Sequence, residues 1–203
     1  MPIVIILDQQ ASRTSPDRVQ EGIKALEMLL GRGLLRRPER TAGDEMQAVI
    51  GEPQTLPSAI EFCLRSHQWW MGIGLGGIQS LEHRSRESRG PAFVAARTAV
   101  EQAKRRRRRP IAVHGEPPEI CERLQGMCDV LAYIVESRTP RQWEVVDAAS
   151  DLGTGSRAAK QLGISSQAAN EQLRAAGFKE QWAAQAEIGY LAAEAERRIG
   201  RDA

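Results

Sequence analysis

Five polar side chains, Ser166, Gln167, Asn170, Glu171 and Arg174, recur at three- and four-residue steps shortly after a glycine, and their chemistry suits the edges of DNA bases. Gln and Asn pair bidentately with adenine, Arg pairs with guanine, and Glu accepts from the cytosine amine. Each such pair gives about 1–3 kcal/mol of discrimination. Arg157 and Lys160, just upstream, complete the DNA-binding set. A second cationic feature is the unbroken run Lys104, Arg105, Arg106, Arg107, Arg108 and Arg109. A local block of this kind attracts phosphate whatever the total charge. As contacts to DNA phosphates it would add affinity without sequence preference and make binding salt-dependent. It also reads as the solvated, cationic end of a helix.

The elements that must position the polar stripe are legible around it, because the segment from about 156 to 177 has the spacing of a helix-turn-helix. Ala159 and Leu162 form the inner side of a first short helix, Gly163 reverses the chain, and Ile164 plugs the corner. Ser165 is placed to cap a second helix by accepting from an unpaired amide of its first turn. Ala169 and Leu173 then point back toward the first helix, which leaves the five polar residues outward. An Ala-rich helical hairpin with a polar outer face also occurs in proteins that never touch DNA; the full spacing favours the DNA reading.

The chain has 203 residues and formal net charge +2, enough for two modest domains or one large one. Cys63, Cys121 and Cys128 are odd in number and have neither paired spacing nor a His cluster, so neither a disulfide framework nor a zinc site is supported. His67, His83 and His114 show no ligand spacing. The apolar opening Ile3 to Leu7 is too short for a signal-peptide core or a membrane span and ends at Asp8, which points to a cytoplasmic chain with no membrane partner.

That opening run reads as a strand buried on both faces. A helix is expected from about Pro16 to Leu30, a basic loop from Gly31 to Arg40, a hairpin over Arg40 to Ile50 turning at Gly43 and Asp44, and a helix from Pro57 to Ser66. Trp69 to Ile78 reads as a strand whose glycines admit another backbone or a ligand, Gly90-Pro-Ala opens a helix that runs to the arginine block, and Ile111 to His114 is a last strand. The Trp69-Trp70 pair reads as packing rather than a stacking platform. After the double proline Pro117-Pro118 the pattern is helical throughout. Cys121, Leu124, Cys128, Leu131 and Val135 predict one long helix that serves as core, connector or dimer seam, and Trp182, Ala186, Ile188 and Leu191 suggest the sticky side of a last helix. The expected division is an α/β domain over residues 1–116 and a helical DNA-binding domain over 117–203.

Several short motifs in this order resemble the SatD family: Asp8 after the first strand, Ser12-Arg13 with Pro16-Asp17-Arg18, Gly43-Asp44-Glu45-Met46-Gln47, Gly72-Ile73-Gly74-Leu75-Gly76, Gly90-Pro91-Ala92-Phe93 and Ala96-Arg97. The resemblance spans nearly the whole chain and implies a transcription regulator. The amino-terminal half also resembles the class III nucleotide cyclase fold, which implies an α+β, ferredoxin-like domain with Asp8 and Asp44 at the two metal-binding aspartate positions. Carboxylates at a strand end and an adjacent hairpin tip suit Mg²⁺, a hard cation that prefers oxygen ligands. Other parts of the cyclase pattern are replaced. Gln9-Gln10-Ala11 stands where a phosphate-binding glycine turn is expected, Val94 takes the asparagine position, and Arg97 lies one residue out of register. Charge developing on the phosphates would lack its usual stabilisation, so turnover is not expected.

The expectation is therefore a dimeric, DNA-binding transcription regulator with a catalytically degenerate cyclase-like domain that dimerises or senses a ligand, such as Mg²⁺, a nucleotide or another small effector. The alternative is a Mg²⁺- or Mn²⁺-dependent enzyme acting on nucleotides through Asp8 and Asp44. An adaptor that binds only protein would show neither activity.

Overall fold

The uninterrupted aliphatic run at the amino terminus forms the middle strand of a five-stranded sheet. A computed structural model describes residues 3–106 and 109–200. Strand β1 (Ile3–Gln9) lies between β3 (Glu45–Ile50) and β4 (Trp69–Leu75), antiparallel to both. Beyond β3 lies β2 (Leu34–Arg40), antiparallel, and beyond β4 lies β5 (Ile111–Gly115), parallel, giving the order β2-β3-β1-β4-β5. Helices α1 (Val19–Leu30), α2 (Leu56–Ser66) and α3 (Pro91–Arg105) make the crossovers β1 to β2, β3 to β4 and β4 to β5. Ile3, Val4, Ile5, Ile6 and Leu7 are all buried, as a strand covered on both faces requires.

The two faces follow from the alternation of side chains. Leu7, Met46, Met71 and Trp69 share one face, where α1 approaches so closely that a Cβ on Gly22 would lie 2.7 Å from Trp69. Val4, Ile6 and Val49 share the other, packed against Ala92, Ala96 and Val100 of α3. The glycines of β4 admit another backbone. A Cβ on Gly72 would lie 2.3 Å from the Val100 nitrogen, and one on Gly74 would lie 2.2 Å from the Ala92 oxygen. The buried side of α3 is correspondingly small, with Ala92, Ala95, Ala96, Ala99 and Ala103.

Two local expectations need correction. The first helix begins at Val19, not Pro16, because Gln9 accepts from the Arg18 N–H and donates to the Pro16 carbonyl, while Asp17 accepts from the Val19 N–H. The basic segment before Arg40 is a strand, not a loop. Its charges suit the exposed rim of a sheet, Pro38 is tolerated there, and the pairing with β3 is irregular between Leu34 and Glu39. Arg36 fastens this edge to the following chain by donating to the Leu81 carbonyl at 3.1 Å and to the Glu82 carbonyl. At the opposite rim, the Gln125 side chain accepts from the Val113 N–H at 3.0 Å and donates to the Ile111 carbonyl at 3.3 Å.

The rest of the chain is helical: α4 (Pro118–Glu136), α5 (Pro140–Leu152), α6 (Gly155–Leu162), α7 (Ser166–Ala175) and α8 (Phe178–Ile199). Two compact units result, Met1–Asp129 with Ala186–Ala203, and Val130–Gln185, so α4 and α8 each contribute to both, and the division falls within them rather than at the double proline. The stripe Cys121, Leu124, Cys128, Leu131 and Val135 is buried, which makes it core. The last helix buries Ala184, Ile188, Leu191, Ala192 and Ala195, whereas Trp182 is 58% exposed and Ala186 is also exposed; the buried side is set by the 184-188-191-195 spacing, and Trp182 falls off it.

Within Val130–Gln185 the starts of α5, α6 and α7 are capped. Thr139 and Gln142 form a reciprocal capping box, Thr154 accepts from the Arg157 N–H, and Ser165 accepts from the Ala168 N–H. Gly153 and Gly163 end α5 and α6 in the left-handed conformation. Val145, Ala159 and Ala169 are buried together with Leu162, Ile164 and Leu173 against them, and Ala148, Ala149 and Ala158 form an adjoining cluster with Phe178.

Candidate functional site

Two groups of side chains carry chemistry. The first is the outer side of α7. Ala169 anchors the helix to the core, and the three-residue corner Gly163-Ile164-Ser165 sets its direction. Ser166, Gln167, Asn170, Glu171 and Arg174 are all exposed, as are Arg157 and Lys160 on α6. Gln167 Nε2 donates to Glu171 Oε1 at 3.1 Å, so these two side chains orient one another. Asn170 and Arg174 border a cleft of about 470 Å³ together with Thr154, Gly155, Lys179 and Glu180, residues to which the sequence pattern gave no role.

The second group lies where β1 ends. Asp8 pairs with Glu45 across the strands, and the Gln9 N–H donates to the Asp44 carbonyl at 3.0 Å, which holds the β2–β3 turn against β1. Asp8, Asp44 and Glu45 therefore gather at one end of the adjacent strands β1 and β3, as hairpin register dictates. Cations on α3 meet two of them. Lys104 Nζ is 2.7 Å from Asp8 Oδ2 and 2.9 Å from Glu101, and Arg97 holds Glu45 through both guanidinium nitrogens, with Nη2 at 2.9 Å from Oε1. Thr41 also donates to Glu45. At the sequence level Glu45 had no role, Arg97 stood only as an out-of-register arginine and Lys104 only as a contact to DNA phosphate; none was placed beside Asp8. The signal for Glu45 lay in the register, since it stands opposite Asp8.

Burial pushes the Asp8 carboxyl above the ordinary 3.8, the Asp44 and Glu45 charges add to this, and Lys104 offsets only part. Lys104 also moves upward. Burial disfavours its charge, but hydrogen bonds and charge from Asp8 and Glu101 outweigh that. The partners differ because the carboxylate is the more buried and has two acidic neighbours, whereas the ammonium has two acidic partners.

A divalent cation fits this end poorly as it stands, because Lys104 and Arg97 already occupy carboxylate oxygens. Among the described residues no group of three His, Cys, Asp or Glu side chains is arranged to hold a metal. The turn after β1 also uses its own amides. The Gln10 N–H donates to the Gln68 carbonyl, and the Thr14 and Ser15 N–H groups donate to the Ala11 carbonyl. Val94 is 68% exposed.

The arginine block divides. Lys104 and Arg106 face carboxylates of the chain itself, Arg106 reaching Asp129 at 2.6 Å and the Ile111 carbonyl at 3.0 Å. Arg105 is exposed at the end of α3 and Arg109 is half-buried, whereas Arg107 and Arg108 lie outside the described residues. The three cysteines are buried and form no disulfide, and burial pushes the Cys121 thiol up to about 12 and raises that of Cys128 as well, so neither is a thiolate near neutral pH. No described helix is long and apolar enough to cross a membrane.

No family model matches the chain, and no curated protein matches it. The five-stranded sheet and its helices define an α+β protein.

Proposed function

We propose that this chain is a cytoplasmic, dimeric, DNA-binding transcription regulator in which α6 and α7 act as a helix-turn-helix. The observation that carries this reading is the exposure of Ser166, Gln167, Asn170, Glu171 and Arg174 on a helix fixed to its neighbours through Ala169 and the Gly163 corner. Base readers must protrude from a rigid support, and the first turns of the second helix are the part that enters the major groove. The resemblance to the SatD family points the same way.

The amino-terminal unit serves this function as a ferredoxin-like, cyclase-related scaffold for dimerisation or effector sensing. The order β2-β3-β1-β4, with two split crossovers through α1 and α2, supports the ferredoxin-like reading, since it is the arrangement of a β-α-β-β-α-β unit. Internal use of the Gln10, Thr14 and Ser15 amides and the ion pairs on Asp8 and Glu45 favour a sensing or structural role over turnover.

The test is a mobility shift with duplexes selected by the protein from a random pool. Alanine at Gln167, Asn170 and Arg174 together abolishes selective binding while thermal unfolding is unchanged. An unaltered preference in the triple variant removes α7 from the reading.

A second reading, a Mg²⁺- or Mn²⁺-dependent enzyme on nucleotides, is favoured by one observation, the gathering of Asp8, Asp44 and Glu45 at one end of β1 and β3. Product formed from nucleoside triphosphates that disappears in Asp8→Ala and Asp44→Ala would replace the regulator with the enzyme.

A further inference from the structure

The polar stripe on α7 has two parts. Gln167 and Glu171 are joined to each other, whereas Asn170 and Arg174 border the cleft with Thr154, Gly155, Lys179 and Glu180. At about 100° per residue, Asn170 lies about 60° and Arg174 about 20° around the helix from Gln167, both on the side away from Glu171, so the cleft lies along one flank of the stripe. Gly155 keeps the cleft open. A Cβ there would lie 3.0 Å from Leu173 Cδ1 and 3.2 Å from Asn170 Oδ1.

We infer that Arg174 and Lys179 hold one backbone phosphodiester of duplex DNA in this cleft, so that Arg174 positions the protein on the duplex while Gln167 reads a base. The inference rests on the DNA-binding reading and narrows it. Two cations and one carboxylate, Glu180, leave the cleft with a single net positive charge at neutral pH, which matches one phosphodiester. Among the described residues no ion pair ties up Arg174 or Lys179, in contrast to Lys104 and Arg106. Position along the helix agrees. Seven residues separate Arg174 from Gln167, about 10 Å at 1.5 Å per residue, so when the first turn meets base edges Arg174 stands back at the level of the strand backbone. A concave wall bearing an Arg and a Lys suits a tetrahedral phosphate better than the flat edge of a base, to which Arg would need to extend freely.

The experiment measures affinity of the full chain for a selected duplex and a scrambled one across a salt series. Arg174→Ala and Lys179→Ala each weaken both duplexes by the same factor, leave the preference intact, and lower the salt slope by about 1. Arg174→Lys keeps most of the slope. Gln167→Ala instead shrinks the ratio between the two duplexes. Matching thermal unfolding curves show that the variants fold. If Arg174→Ala narrows the preference, or leaves the slope unchanged, the phosphate slot is overturned while the DNA-binding reading stands. If the wild-type chain binds neither duplex, both fall.

Discussion

Asp8 ends the central strand with its side chain 13% exposed and with Asp44 and Glu45 close by, so ionising it in the folded chain is harder than in water. The sign of the consequence follows from linkage. A carboxyl whose folded pKa is raised contributes stability that is full below its unfolded value of 3.8 and is lost as pH rises through the folded value. At neutral pH the ionised group is therefore a cost. Asp8→Asn, which mimics the neutral acid, is expected to unfold at higher urea concentration than the wild type at pH 7, with the difference vanishing below pH 3.8. A variant that is less stable at pH 7 would mean that the Lys104 pair dominates. A charge retained against stability is the kind of residue that ligand binding keeps in place, which is why Asp8 belongs to the sensing role proposed for the sheet unit.

At the scale of elements, the glycines divide by what surrounds them. Gly74 faces α3 at a separation that leaves no room for a methyl group, whereas Gly126 lies inside α4 with nothing within 4 Å of where its Cβ would be. Gly126→Ala is expected to stabilise the chain by about 0.5–1 kcal/mol, because alanine restricts the unfolded chain and favours helix. Gly74→Ala is expected to cost about 1–3 kcal/mol or more by prising α3 off the sheet. Chemical denaturation of the two variants checks both signs. The same contrast explains what was legible in the sequence. The run Ile3 to Leu7, the Gly163 corner and the Ser165 cap are local signals, and each stands where the pattern put it. Strand β2 was not legible, because its seven residues hold three Arg, a Glu and a Pro, and only pairing with β3 makes them a strand. Trp182 misled for the opposite reason: its size suggested burial, but the neighbouring alanines and Ile188 determine which side of α8 is covered. The ion pairs of Lys104 and Arg97 were out of reach, since they depend on where α3 crosses the sheet.

At the scale of the whole molecule, the net charge of +2 is too small to drive DNA binding by itself, so affinity must come from a local surface. Arg157, Lys160, Arg174 and Lys179 are exposed on consecutive helices of one unit, and in the proposed regulator they would supply it. A regulator with two-fold symmetry would place two α7 helices about 34 Å apart, one turn of duplex. Hydroxyl-radical footprinting is expected to give two protected patches about 10 base pairs apart on a palindromic site, with light scattering reporting a dimer. A single protected patch from a monomer would remove the dimer from the proposal and leave one reading head.

The two rims of the sheet also bear on how the molecule behaves in a crowded solution. At one rim Gln125 substitutes an amide side chain for a neighbouring strand, and at the other Pro38, the irregular pairing and the arginines of β2 break the ladder that an incoming strand would extend. Open ladders are the usual seeds of strand-by-strand aggregation. With both ends blunted, self-association is steered toward helical surfaces, and misassembly into extended fibrils is disfavoured even at high concentration.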